Sequence, residues 1–327
     1  MAAEVSSATV SRVINNTGTV SDAVRQRIEA AIARLGYVPN GAARALASNR
    51  TWAVGIVVPT LLDPNFATTV QKAQAQLHQA GFRTLIATSD HDPKQEWEQV
   101  QSLVMHGIDG IILAGSEHPP GMHDFLKARH VPYAETWTMT KDDTPCIGFD
   151  HAAAACRMAR HLLDLGHRRI GIVSGPGRCD NRARDQIKGI RQAFSERGLT
   201  LPGEYLIERP CHIAEGQQAM RLLMTMAPRP TAVLCGDDLL AFGALIECKV
   251  QKLNVPGDVS VTGFGDLEFA SQIVPSLTTI HVPAEAIGQK AADYLIAAIE
   301  GRPCPVRTEL TTDIIARNST APPCQGS

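Results

Sequence analysis

A chain of 327 residues has room for two or three domains and a full core. Its 44% hydrophobic and 20% charged content and net charge of −2 exclude a disordered or fibrous protein. No apolar run reaches the ~18 residues of a membrane span, and MAAEVSSATV has neither a basic start nor an apolar core of a leader, so a cytoplasmic location without membrane contact is expected.

Eight cysteines (146, 156, 179, 211, 235, 248, 304, 324) are scattered without a C-x-x-C pair, which argues against disulfides and a zinc site; no metal or cofactor is expected. Charge is uneven. Residues 1–50 carry six Arg and no Lys against Glu4, Asp22 and Glu29, whereas the remainder is acidic. A basic short segment on an acidic body suits a nucleic-acid-binding appendage.

In chain order, Ser6 is placed to cap a helix with Val10, Val13 and Ile14 on its inner face, and Asn15, Asn16 and Gly18 make a turn. Ser21 caps a second helix whose Val24, Ile28, Ile32 and Leu35 share one face, and Gly36 ends it. Pro39 and Asn40 open a third short helical piece, GAARALASNR. From Trp52 the pattern alternates. Strands are predicted at 53–59, 84–89, 109–115, 169–175, 231–236 and 259–265, with helical stretches between them. This is the pattern of right-handed βαβ units in parallel sheets, which bind ligands at the carboxyl ends of their strands. Two sheets are expected, with crossovers at 145–150 and 275–283, and the strand-like ELTTDIIAR returns to the second lobe.

VSSATVSRVINN followed by GTVSDAVRQRIEAAIARLGYVPNGAARAL resembles the headpiece and hinge of the lactose-repressor family of bacterial regulators. AVGIVVPTLLDPNF, DGIILAG, GHRRIGIVSGP, NVPGDVSVTGFGD and PSLTTIHVPAEAIG resemble successive landmarks of that family's sensor domain. AETW, CIGFDHAAAA, DNRAR and GFGDLEFA look like its gluconate-utilisation repressor branch. The resemblance implies an α/β fold: a two-lobed, periplasmic-binding-protein-like sensor of two parallel-sheet, Rossmann-like subdomains behind a helix-turn-helix headpiece. The expected division is a headpiece at 1–37, a hinge helix at 38–50 and a sensor at 51–327, with an N-subdomain at 51–148 and 275–305 and a C-subdomain at 149–274 and 306–320. Only MAAE precedes Val5, so the first helix of the headpiece is largely missing: either the start codon is misassigned or the chain is a truncated form, and weak specific DNA binding is expected of this exact chain.

In the recognition helix, Ser7, Ala8 and Arg12 share the outward face. Arg12 suits a guanine edge, Ala8 a thymine methyl, and Thr9 and Ser11 phosphates, with Asn15 completing the DNA-facing set. The family pattern implies that Arg44 and Leu46 of paired hinge helices enter the minor groove, where the leucines wedge between base pairs. In the sensor, Asn65 and Phe66 follow strand one, Ser89 and Asp90 end strand two, and Trp137 and Asp150 flank the crossover. Arg178, Asp180, Arg182 and Arg184 follow the strand ending at Gly175; Asp237, Asp238 and Asp266 follow later strands, and Asp238 also fits an N-cap. Two positions depart from the family pattern: Gln186 stands where many members have Arg, and Gly265 where many have Asp, the acid here being Asp266.

No G-x-S-x-G, H-E-x-x-H or P-loop is present, and GPGRCD lacks the third glycine of a dinucleotide fingerprint, so an enzyme is not expected. The expectation is a DNA-binding repressor whose affinity for a palindromic operator is set by a sugar or sugar-acid effector, gluconate-like, with Arg182 or Arg184 on the carboxylate. The tail ARNSTAPPCQGS has no leucine heptad, so a two-fold homodimer is expected. The competing reading is a stand-alone sugar-binding protein without DNA function.

Overall fold

The structure, a computed structural model, describes residues 5–14, 18–37, 50–140, 142–177 and 180–324, without the side chains of Ser7 and Ile14. The chain divides into two compact units, Met1–Trp52 and Ala53–Ser327. The expected hinge helix, with Arg44 and Leu46, lies outside the described residues, as do Asn15 and Arg178.

The first unit holds α1 (Ser7–Ile14) and α2 (Asp22–Leu35). Ser6 caps α1 as expected: its Oγ accepts from the Thr9 amide at 3.2 Å. Ser21 occupies the cap position of α2 without a side-chain capping bond, while Gly36, at φ 58°, ends α2 in the left-handed conformation that glycine adopts at least cost. Val13, Ile28 and Ala31 are its buried apolar residues.

The second unit has two lobes. In the first, β1 (Ala53–Val58), β2 (Arg83–Thr88), β3 (Gly110–Ala114), β4 (Tyr133–Thr136), β5 (Cys146–Gly148) and β11 (Arg307–Glu309) form a parallel sheet in the order β11-β5-β4-β3-β1-β2. In the second, β6 (Ile170–Ser174), β7 (Leu206–Glu208), β8 (Ala232–Cys235) and β9 (Ser260–Thr262) are parallel in the order β7-β6-β8-β9. A separate antiparallel pair joins β10 (Thr279–His281) to β12 (Asp313–Ile315). The helices are α3 (Pro64–Gln79), α4 (Pro93–Met105), α5 (Met122–Ala128), α6 (His151–Asp164), α7 (Asn181–Glu196), α8 (Ile213–Met224), α9 (Asp238–Val250), α10 (Glu268–Gln272) and α11 (Ala284–Ile299). Among the described residues no helix is long and apolar enough to cross a membrane.

Each predicted strand is present; β1, β3, β6, β8 and β9 are buried runs, whereas the edge strand β2 is half-exposed. Two subdomain boundaries move. Residues 307–309, expected in the C-subdomain, extend the first sheet beside β5, where the Cys146 amide bonds the Val306 carbonyl at 2.9 Å. Residues 275–281, expected in the N-subdomain, stay with the second lobe: Leu277 is buried in its core, and Thr278 bridges Thr262. Short edge strands such as Arg307–Glu309 carry no apolar alternation, so their sheet is not visible in the sequence.

Three helix pairs, α6 with α7, α8 with α9, and α3 with α11, pack closely enough that a glycine is needed at each contact. A Cβ on Gly189 would meet the Ala152 carbonyl, one on Gly216 the Leu240 carbonyl, and one on Gly288 the Thr69 carbonyl. Because the obstacle is backbone, Gly189→Ala is expected to destabilise the sensor by about 1–3 kcal/mol in urea unfolding. Gly203→Ala, with nothing within 4 Å of the added carbon, should cost far less. Equal losses in both variants would refute the packing argument.

Candidate effector-binding cleft

A cavity of about 450 Å³ opens between the two lobes of the sensor. Its described lining comes from the segments that follow the strands: Thr60, Leu62, Asp63, Asn65 and Phe66 after β1, Asp90 and His91 after β2, Gly175, Pro176 and Asp180 after β6, Pro210 to His212 after β7, Gly236 and Asp237 after β8, and Phe264 and Gly265 after β9. That is the place where parallel sheets bind ligands, since helix starts there present amides and capping side chains.

On the first lobe, Asp63 caps α3 by accepting from the Asn65 amide at 2.9 Å, which sets Asn65 and Phe66 at the cleft. Facing them, Asp180 caps α7 and also grips Arg182, accepting from Nε at 3.0 Å and Nη2 at 2.8 Å. The Arg182 guanidinium lies 4.5 Å above the Phe66 ring and 5.9 Å from the Trp137 ring, and these two rings meet edge to face at 5.1 Å. Two further ties run from α7 to the first lobe: Asn181 Nδ2 donates to Ser116 Oγ at 2.7 Å, and Arg184 pairs with Glu117.

The electrostatics follow from burial. Burial alone would raise Asp180, but the Arg182 charge and its hydrogen bonds hold this carboxyl well below its ordinary range. Asp63 and Asp237 lack such a partner, and burial pushes both upward. His151 is driven down to about 4 by burial, with the Arg182 charge adding to the effect. It is therefore neutral at physiological pH. One ring nitrogen, Nε2, bonds the Trp137 carbonyl at 2.9 Å, and Nδ1 has no partner among the described residues. With Nε2 as the donor, Nδ1 is left as an acceptor beside the cavity.

Of the expected effector residues, Asn65, Phe66, Asp90 and Arg182 come together on this cavity. Ser89 lines a neighbouring one that shares Phe66, Asp180 and Arg182. Trp137, at φ 65°, is buried and braces Phe66 rather than lining the cleft. The other four lie elsewhere. Asp150 caps α6, accepting from the Ala153 amide at 2.9 Å. Asp238 is fully buried and accepts from Thr279 Oγ1 at 2.6 Å and the Leu267 amide at 2.8 Å, tying β9's exit to β10. Arg184 turns to Glu117 and the Gly177 carbonyl. Asp266 faces Arg317 at 2.6 Å and His281 at 3.0 Å, so the acid one residue beyond Gly265 does not replace a cleft acid at 265. Gln186 does line the cavity.

Sequence reasoning missed Asp63, His91, His151, Cys211 and His212. Asp63 had a signal: Asp before Pro at a helix start is a cap facing the strand's carboxyl end. His212 follows a three-residue strand that has no pattern of its own.

In the first unit, Ala8, Ser11 and Arg12 are exposed on α1, and Thr9 is half-buried, its hydroxyl 2.9 Å from Ser6 Oγ.

Residues 1–40 match the family model of bacterial regulatory proteins, lacI family, and residues 159–320 match that of a periplasmic binding protein-like domain. The chain is 31% identical over 323 residues to the HTH-type transcriptional repressor PurR of Escherichia coli, spanning 98% of this chain and 94% of the relative. Its structure is similar to that of the lac repressor dimer bound to operator and the anti-inducer ONPF (TM-score 0.86, 26% identity, 98% of this chain and 96% of that one). It is also similar to the transcriptional regulator CelR in complex with cellobiose (TM-score 0.74, 28% identity, 97% of each chain). The chain belongs to the lacI family of bacterial regulatory proteins. It is a DNA-binding transcriptional repressor with an effector-binding domain.

Two outcomes follow from the charges in the cleft. Because Arg182 depresses the folded-state pKa of Asp180 below the ordinary carboxylate value, its stabilising contribution is complete above that ordinary value and fades as pH falls toward the depressed one. The stability difference between the wild type and Asp180→Asn, measured by urea unfolding, should therefore shrink from pH 7 to pH 3. A constant difference would contradict the pairing. Asp237 has the opposite sign, since a carboxyl whose pKa burial raises stabilises the fold only at low pH. Asp237→Asn keeps a capping side chain and removes a buried charge, so it should raise the melting temperature at pH 7 and do so less at pH 4.

Proposed function

We propose that this repressor binds a palindromic operator as a cytoplasmic homodimer, through the exposed face of α1 and the hinge segment carrying Arg44 and Leu46, and that a small neutral sugar in the cleft sets its operator affinity. Ser7, Ala8, Thr9, Ser11, Arg12 and Asn15 form the DNA-facing set. The observation that carries the effector assignment is the charge balance of the cleft. Arg182 is the one Lys or Arg among the described lining residues, and Asp180 already occupies two of its N–H groups. Around it stand Asp63, Asp90 and Asp237, with Asn65, Gln186 and the His151 acceptor nitrogen. Carboxylates, amides and an imidazole suit hydroxyl groups, which donate and accept, while an acidic ligand meets four carboxylates.

A gluconate-like acid, suggested by the resemblance of AETW and DNRAR, requires a free guanidinium. Arg184 faces Glu117 away from the cavity, and Arg182 would have to leave Asp180. The cellobiose held by CelR supports a neutral sugar as the chemical class. Regulation follows from the position of Arg182: it belongs to the second lobe and lies on a ring of the first, so a ligand beside it alters how the lobes meet.

Titration calorimetry with pentoses, hexoses, disaccharides and gluconate tests the class. A neutral sugar should bind more tightly than gluconate, Arg182→Ala should weaken it roughly 10- to 150-fold, as for a lost hydrogen bond to a charged group, and Arg184→Ala should change it little. Preference for gluconate would establish the sugar-acid reading instead. Fluorescence anisotropy on palindromic DNA recovered by selection, with and without the sugar, tests regulation. DNA affinity indifferent to a bound sugar would contradict it.

A further inference from the structure

His118, His123 and Glu135 meet in the first lobe, outside the residues that line the effector cleft. Glu135 lies on β4 between β3 and β5, with its side chain 1% exposed; His118 lies in the loop after β3, 2% exposed; His123 opens α5, 34% exposed. Glu135 Oε1 is 2.9 Å from His123 Nε2 and 3.5 Å from His118 Nε2. One ligand atom from each residue falls within 4.8 Å of the others. Two of the polar atoms here, His118 Nε2 and Glu135 Oε2, are buried without a hydrogen-bond partner among the described residues.

Orphaned buried atoms of this kind are rare and costly, and two in one cluster point to a missing partner. The other ring nitrogen of His118 is already committed: Nδ1 lies 2.7 Å from Glu96 Oε1. In the neutral ring, with Nδ1–H donating to Glu96, the lone pair is on Nε2, toward Glu135. A carboxylate behind a ligating histidine fixes its tautomer and increases its basicity. The His123 ring is held by stacking on Tyr133, with centroids 5.1 Å apart and planes 12° apart. Bonds of about 2.0–2.2 Å in a tetrahedral zinc site set ligand atoms roughly 3.3 Å apart, which the two histidine–glutamate distances bracket. Three side chains, two imidazoles and one carboxylate, leave the fourth position to water, and the exposed edge of His123 is where solvent reaches the cluster.

We propose that His118, His123 and Glu135 form a binding site for one divalent transition-metal ion, with zinc the best-fitting, and that Glu96 orients His118 for it. A dication supplies the His118 Nε2 lone pair with the partner it lacks and balances the buried Glu135 carboxylate. The spacing of cysteines carries no trace of such a site, because its ligands are two histidines in a short loop-to-helix segment and a glutamate in a strand. The His118 loop also carries Ser116 and Glu117, the first-lobe ends of two ties to α7, so a bound ion holds that loop at its base.

The test uses the metal-free full chain and the metal alone. After equilibration with zinc sulfate and dialysis, one equivalent should remain per chain, measured by elemental analysis. Cobalt chloride should give the visible absorption of a four- or five-coordinate nitrogen–oxygen site without a near-ultraviolet thiolate band. Zinc should slow amide exchange in residues 115–123. His123→Ala, at the exposed end of the cluster, and Glu135→Gln should each abolish stoichiometric retention, and Glu96→Gln should weaken it about 10- to 100-fold, with melting of the metal-free His123→Ala chain close to the wild type. The proposal is overturned if the folded wild type retains no zinc, or if His123→Ala retains it undiminished with a thiolate band, which would place the ion on cysteines.

Discussion

The sensor's two lobes meet across the cleft at the guanidinium of Arg182. Asp180 holds it at 2.8 Å, and it lies on Phe66 of the opposite lobe at 4.5 Å. The rest of the site is arranged around that contact. Asp63 and Asp180 cap the two helices that carry these residues, so backbone geometry fixes where ring and cation meet. Trp137 backs the ring and is itself packed on Phe149, and Asn181 and Arg184 fasten the same helix start to Ser116 and Glu117. A cation–π contact is worth about 0.5–2 kcal/mol, depending on desolvation. A joint of that size can be tipped by the differential binding of one small ligand.

The same contact underlies the neutral-sugar effector proposed above. An arginine in a cleft invites an acidic ligand, and from the sequence both Arg182 and Arg184 qualify. In the structure neither is free: one is neutralised by the aspartate two residues before it, the other faces Glu117. Asp63 and Asp237, unpaired and pushed upward by burial, make the cleft receptive to hydroxyl donors.

Much of the fold was legible because it follows periodicity. The buried β-branched strands β1, β3, β6 and β8, the capping Ser6 and the closing Gly36 are local signals, and the structure keeps each of them. The site was legible only at the level of segments. A strand's carboxyl end announces that a side chain nearby will face the cleft, but not which one. Asp150 and Asp238 sit at such ends and serve as a helix cap and a buried tie, whereas their neighbours His151 and Asp237 face the cavity. The choice between adjacent residues depends on the helix start, where φ and ψ change within one position. The cluster of His118, His123 and Glu135 was illegible for another reason: its members come from a loop, a helix start and a strand that only tertiary packing brings together.

The most direct test of the Arg182 joint is a double-mutant cycle on the unliganded chain. Urea unfolding of the wild type, Arg182→Gln, Phe66→Leu and the double variant isolates the energy of the pair from the separate costs of a lost ion pair and a trimmed core ring. A joint that holds the lobes predicts a favourable coupling of about 0.5–2 kcal/mol between the two positions. Strict additivity of the two substitutions would show that the guanidinium and the ring do not hold the lobes together, and would contradict the account.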